Sequence, residues 1–187
     1  MNAKRFFSYL PLIRQPMEAI EWKEIDNKDY QQQLAETTPV KRQQPLALEA
    51  APLEIRELFQ DHDVSSLKLL SIPFLPEPRK VTEGWHIAAM PQARVIRVAS
   101  GRIEAYGDEP ESAMPGDSPF VCAVARNLGA YLEAMTCGAM AKAHFARGPA
   151  DDPTTKKKRE LIMQLCAAVA GGQEYDNFWL GLPGNLG

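Results

Sequence analysis

The sequence predicts an α+β fold, in which an antiparallel meander sheet of four or five strands packs against helices and one extra helix follows at the C-terminus. Three observations lead to this prediction. Short runs of alternating or β-branched residues follow one another between residues 67 and 124. Tight turns separate them, which is typical of antiparallel strands joined in sequence. Apolar residues at helical spacing precede this region and return after it.

The length of 187 residues predicts a single domain. We divide it into an N-terminal arm over residues 1–49, a core of sheet and helices over 50–148, and a C-terminal helical extension over 149–187. Four prolines, at positions 11, 16, 39 and 45, interrupt the arm. We therefore expect short irregular pieces there, with one helix over residues 28–35.

The core is predicted to begin with a helix over residues 51–59. Pro52 stands in its first turn, where the missing N–H has no helical partner to lose. Ile55, Leu58 and Phe59 form its apolar face. Asp61-His62-Asp63 marks the point where the helix ends.

Five strand candidates follow, over residues 67–72, 85–90, 94–98, 102–106 and 120–124. We expect Pro73 and Pro76 to end the first of them, since proline cannot donate a ladder hydrogen bond. Ser100-Gly101 predicts a hairpin turn between the third and fourth, because glycine tolerates a positive φ.

Two helices and a short final turn complete the prediction. Asn127 is the expected N-cap of the first helix, whose buried face comprises Leu128, Tyr131, Leu132, Met135 and Ala139. Asp152-Pro153 opens the second, and its predicted buried face comprises Leu161, Ile162, Leu165 and Val169. Gly171-Gly172 should stop that helix. Residues 174–180 are then expected to bury Tyr175, Phe178 and Trp179 in a last short turn.

Composition excludes several classes of function. The 21 Lys and Arg against 24 Asp and Glu give a net charge of −3, which disfavours nucleic-acid binding through phosphates. Three cysteines without a CxxC pair suggest neither a disulfide framework nor a zinc site. No glycine-rich phosphate loop occurs, so we expect no cofactor. Neither a signal peptide nor a membrane span is recognisable, which predicts a cytoplasmic protein without membrane contact.

Two groups of residues allow a catalytic or metal interpretation. Asp61-His62-Asp63 contains suitable metal ligands, but sequence neighbours at a helix end rarely all converge on one ion and no second cluster accompanies them. We therefore interpret the segment as a solvated helix end and expect no metal site. His62 or His86 would serve as an acid–base residue in a small hydrolase or transferase. No nucleophile motif accompanies either histidine. A third feature, the basic run Lys156 to Arg159, is interpreted as a solvated helix face.

An acidic segment follows the fourth strand. Asp108, Glu109 and Glu111 lie in it, with Asp117 further on. Such a segment can serve solubility alone, or it can form a negative patch that attracts a basic protein partner.

The order of elements and three motifs resemble the SUKH superfamily, the Smi/Knr-like proteins. Residues 124–133 (VARNLGAYLE) match its strand-to-helix pattern "vAxSFxxFLe". Here Asn127 takes the Ser place, Leu128 and Tyr131 the aromatic places, and Leu132 the Leu place. Residues 95–106 resemble the family's hairpin, and residues 51–59 resemble its "LPxxyrxfL" helix. In place of the asparagine–glycine pair usual after that helix, this chain has Asp61-His62-Asp63.

Many members of this superfamily are bacterial toxin immunity proteins, so the resemblance implies a non-enzymatic protein that binds and neutralises a toxin. The partner-binding residues expected on this view are Asp61, Asp63, Trp85, Asp108, Glu109 and Glu111, with Trp85 as an apolar anchor inside an acidic rim. The protein would be a monomer or a homodimer. A regulatory or scaffold protein of the same fold, or a small hydrolase or transferase, remain the alternatives.

Overall fold

The computed structural model of the protein describes residues 1–13, 35–70, 72–90, 93–107, 120–145 and 152–181, and it confirms the α+β fold class. The described helices are α1 (Ala3–Ile13), α2 (Leu53–Phe59), α3 (Leu128–Phe145), α4 (Pro153–Ala170) and α5 (Asp176–Leu180), with a 3-10 turn at Gln173–Tyr175. The strands are β1 (Val40–Lys41), β2 (His62–Asp63), β3 (Lys68–Leu69), β4 (Ile72–Lys80), β5 (Gly84–Met90), β6 (Ala93–Val98), β7 (Ile103–Gly107) and β8 (Phe120–Ala125). None of the described helices has the length and apolar character that crossing a bilayer requires.

The sheet is an antiparallel meander. Each strand from β4 to β8 pairs with the next along the chain, and the two-residue β3 adds to the sheet beside β4. The predicted hairpin turn is confirmed between β6 and β7. There the amide of Gly101 donates to the carbonyl oxygen of Val98 at 2.9 Å. Gly101 has a φ of 93°, a conformation that favours glycine.

Helices cover one face of this sheet, which we call the inner face. Val95 of β6 belongs to the same hydrophobic core as Tyr131 of α3 and Trp179 of α5. The Tyr131 ring meets Phe74 of β4 edge-on, with 6.2 Å between the ring centroids. The indole Nε1 of Trp179 donates to the carbonyl oxygen of Val124 at 3.0 Å. The C-terminal turn therefore closes the core against β8.

The predicted helix caps are confirmed. The Asn127 Oδ1 accepts from the amide of Ala130 at 2.8 Å, and the Asp152 Oδ2 accepts from the amide of Thr155 at 2.7 Å. Gly171, with a φ of 146°, follows the last turn of α4. The predicted core face of α3 is also confirmed, with Leu128, Tyr131, Leu132, Met135 and Ala139 all buried. Tyr175, Phe178 and Trp179 are buried as well.

The prediction of an irregular N-terminal arm is wrong for its first part. Residues 3–13 form α1, which packs against α2 and α3. Phe6 and Leu10 are fully buried on it, with Ala3 and Ile13 on the same side. Pro11 lies in the last turn, where its missing N–H removes only one helical hydrogen bond. Residues 28–34 of the other predicted helix lie outside the described residues.

The first predicted strand is also wrong in its bounds. The chain turns at Leu70, whose φ is 52°, and β4 then runs through Pro73, Pro76 and Pro78 rather than ending at the first two. β3 pairs only with Ile72 and Pro73. Along the rest of β4, the backbone N–H groups on the edge away from β5 therefore have no ladder hydrogen bonds to donate to β3. Proline is therefore tolerated there.

The predicted buried face of α4 is wrong for two of its four residues. Leu161 and Leu165 are exposed, at 54% and 46%, whereas Ile162 is buried as predicted and Val169 is half-buried against the core. The side chains that contribute to the core are Ile162, Met163, Cys166, Ala167 and Ala170. Apolar residues lie on two sides of this helix, so spacing alone could not distinguish the packed side from the exposed one.

Candidate protein-binding surface

The outer face of the sheet, opposite the helices, carries charged and polar side chains. Because successive strand residues point to opposite faces and Val95 points to the core, Arg94 points to the outer face. The register places Tyr106 of β7 beside Arg94. It also places His86 and Glu104 on either side of the fully buried Ile96.

We call the polar side chains of this region the outer-face cluster: Glu83, His86, Arg94, Glu104 and Tyr106. Glu83 Oε1 lies 3.5 Å from Arg94 Nη2, and the two side chains are only 11% and 14% exposed. The Tyr106 hydroxyl donates to Glu104 Oε2 at 2.8 Å. Both pairs are therefore half-buried, and Arg94, Glu104 and Tyr106 are held on strands, unlike isolated surface charges.

The chemistry of this cluster suits hydrogen bonding and charge recognition. Burial, together with the hydrogen bond to Glu104, raises the pKa of Tyr106 to about 12, so the phenol keeps its proton and remains a donor. Burial also raises the pKa of the Cys122 and Cys137 thiols, and that of Cys166 to about 12. Protonated thiols are poor nucleophiles.

An exposed aromatic side chain borders the cluster at β8. Phe120 and Val121 are 57% and 56% exposed, and the Phe120 ring meets the Tyr106 ring edge-on, with 5.9 Å between the centroids. Residues 108–119 connect β7 to β8 and begin directly after Gly107. The predicted binding residues Asp108, Glu109 and Glu111 fall in this connection and lie outside the described residues.

Trp85 lies on the inner face, not on the outer one. It is 9% exposed and belongs to the hydrophobic core. Its ring is further covered by Lys80, whose Nζ lies 5.7 Å from the ring centroid. The neighbouring Arg97 is hydrogen-bonded to Glu54 of α2, with Nη2 2.6 Å and Nε 3.0 Å from Glu54 Oε1. A partner would thus find little of the Trp85 ring to contact.

Asp61 and Asp63 lie on a different element from Trp85. Helix α2 ends at Phe59. His62 and Asp63 lie beyond the helix end, in β2, which pairs with β1. Asp61 is exposed. The Asp63 Oδ1 accepts from the amide of Ser65 at 2.9 Å. Asp63 thus stabilises a local turn, and only Asp61 presents a freely exposed carboxylate.

The structure separates the two histidines that were considered for catalysis. The His86 Nε2 lies 3.0 Å from the carbonyl oxygen of Ala88 on β5. The His62 ring packs against Phe7 of α1, with 4.7 Å between the ring centroids. Across the described ranges, no three His, Cys, Asp or Glu side chains gather closely enough to hold a metal ion.

Sequence reasoning missed the outer-face cluster, although a signal for it was present. The turn at Gly101 fixes which residues of β6 and β7 face each other. With that register, the alternation in ARVIRV and IEAYG places Arg94 beside Tyr106 and Ile96 beside Glu104. Glu83 lies in the loop before β5, and no strand pattern would have assigned it.

Comparison with protein-family models, with curated proteins and with solved structures finds no match to this chain.

Proposed function

We propose that this protein is a non-enzymatic protein-binding module whose partner contacts the outer face of the sheet. The observation that carries the proposal is the two half-buried polar pairs, Glu83–Arg94 and Glu104–Tyr106, beside the exposed Phe120. Charged groups held in place by neighbours lose little freedom on binding, and an exposed aromatic ring supplies the apolar contact that such an interface needs. The raised pKa values of the three thiols disfavour a cysteine nucleophile.

More specifically, we propose an immunity protein that occludes a bacterial toxin. The support is the resemblance to the SUKH superfamily in residues 51–59, 95–106 and 124–133. In the structure these segments contain α2, the β6–β7 hairpin and the start of α3. The acidic connection between β7 and β8 leaves the sheet beside the outer-face cluster. We propose that a basic toxin surface contacts both the outer-face cluster and these acidic residues, the first of which follows Tyr106 by two positions in the sequence.

The test uses a toxin domain encoded beside the gene for this protein. Co-expression should relieve growth inhibition, and the purified proteins should form a complex. Replacing Asp108, Glu109 and Glu111 together by Ser should slow association at low salt, and raising the ionic strength should shrink the difference. Arg94→Ala should accelerate dissociation, because the cluster lies at the proposed contact.

The matched control removes the same charge elsewhere. Glu49, Glu57 and Glu160 are exposed residues away from the outer face, and their joint replacement by Ser should leave association unchanged if the effect is local. A complex that forms equally fast with both triple variants would place the contact on another surface. Protection from the toxin without any complex would instead point to enzymatic inactivation.

A further inference from the structure

Helix α4 has a second apolar side that nothing in the described structure covers. Leu161 and Leu165 are 54% and 46% exposed, and Lys157, Gln164 and Ala168 are exposed on the same side. Their spacing brings these five residues onto one side of the helix. We call them the exposed face of α4. The opposite side of the helix packs into the core, so this helix carries apolar residues on two sides, as a helix between two packing partners does.

We infer that the exposed face of α4 is the contact between two copies of this chain, with the two α4 helices antiparallel. The spacing of Leu161, Gln164, Leu165 and Ala168, at i, i+3, i+4 and i+7, is that of a helix-pairing seam. In an antiparallel pair, Leu161 of one copy lies opposite Leu165 of the other. Each contact occurs twice, so the interface closes on itself as a two-fold symmetric dimer.

The charges along α4 fit an antiparallel partner. Lys157 and Lys158 are exposed in the second turn of α4, in the half of the helix nearer the positive end of its dipole, where cations gain nothing from it. In the antiparallel pair they lie beside the carbonyl end of the partner helix, where cations are favoured. A parallel pair would bring the lysines of both copies together, and their repulsion opposes it.

A second copy fits this face better than nucleic acid does. A phosphate backbone would satisfy the lysines but offers no apolar surface for the two leucines. The net charge of −3 also opposes a polyanion. Because the contact is built on one helix of 18 residues, about 27 Å long, its area falls at the low end of specific interfaces. We therefore expect a weak dimer, with a dissociation constant on the order of 10 µM.

Sedimentation velocity of the full chain tests this inference between about 1 and 200 µM. The wild type should pass from monomer to dimer over this range. Leu161→Lys and, separately, Leu165→Lys should each raise the dissociation constant at least about tenfold, because both bury a charge at the seam. The matched control is Leu53→Lys, on α2, where the leucine is 60% exposed. It should dimerise as the wild type does.

The orientation has its own test. Changing Lys157 and Lys158 together to Glu should weaken an antiparallel dimer, because it sets carboxylates against the carbonyl end of the partner helix. It should leave a parallel dimer unchanged, and that result would overturn the orientation. Since these side chains are exposed, circular dichroism should show every variant folded. A wild type that stays monomeric at the highest concentration would overturn the inference. Co-sedimentation of that monomer with phosphatidylglycerol vesicles would also overturn it, because the face would then bind a membrane surface and not a second copy. Equal dimerisation of Leu161→Lys, Leu165→Lys and Leu53→Lys would do the same.

Discussion

Tyr131 places a phenolic hydroxyl in the hydrophobic core. The residue is fully buried, its ring packs against Phe74 and Trp179, and the hydroxyl has no hydrogen-bond partner among the described residues. Burial raises the pKa of this phenol, which expresses the same cost of removing it from water. An unsatisfied buried polar group costs about 1–3 kcal/mol, whereas the ring supplies the packing. Tyr131→Phe should therefore raise the free energy of unfolding by about 1 kcal/mol, allowing for the small void that the oxygen leaves.

Urea unfolding followed by circular dichroism measures this difference, provided that the slope of the transition stays constant. The matched control is Tyr106→Phe, because the Tyr106 hydroxyl does have a partner, Glu104 Oε2 at 2.8 Å. Loss of this hydrogen bond in Tyr106→Phe should lower the free energy of unfolding by about 1 kcal/mol. The two substitutions remove the same atom and should change stability in opposite directions. If Tyr131→Phe lowers stability as much as Tyr106→Phe does, the Tyr131 hydroxyl must have a buried partner, such as a water molecule.

Three further predictions concern the packing and its dependence on pH. Leu132→Ala should lower the free energy of unfolding by about 2–5 kcal/mol, since Leu132 is 1% exposed, and an unchanged urea midpoint would contradict its place in the core. Gly138→Ala should destabilise by about 1–3 kcal/mol, because the added Cβ would lie 2.5 Å from Cys166 Sγ and 2.6 Å from Leu70 Cδ1. Calorimetry should show a lower melting temperature for it. The free energy of unfolding should fall as pH rises above about 10, because the raised pKa of Tyr106, about 12, makes the unfolded chain lose its proton first. In urea titrations at alkaline pH, Tyr106→Phe should show a smaller fall.

The parts of the fold that sequence could predict are those set by local chemistry. The caps at Asn127 and Asp152 and the turn at Gly101 depend on one residue and its near neighbours, and the structure contains all three. The core positions of α3 were predictable because Leu128, Tyr131, Leu132, Met135 and Ala139 repeat at helical spacing after a recognisable cap. The wrong predictions concern elements whose position depends on contacts between residues far apart in the sequence. The path of β4 through its prolines depends on β3 pairing with only its first two residues. The packed side of α4 depends on where α3 and α5 lie.

The candidate surface was harder to predict because its residues come from three strands and a loop. Arg94 and Glu104 alternate with apolar residues, a pattern that by itself indicates only a solvated sheet face. Their burial to 14% and 16% follows from neighbours that meet only after the strands pair. Trp85 misled the sequence reasoning for the converse reason. A large aromatic residue serves a core as well as an interface, and only the tertiary structure distinguishes the two.

The burial of Trp85 also limits how a partner can be recognised. To contact its ring, a partner would have to displace Lys80 from above it and face the ion pair of Arg97 with Glu54. Both steps cost free energy before any new contact forms. Phe120 requires no such displacement, since its ring is already 57% exposed. The outer face at β7 and β8 therefore offers apolar contact and preorganised charge together, and it is where the acidic connection begins.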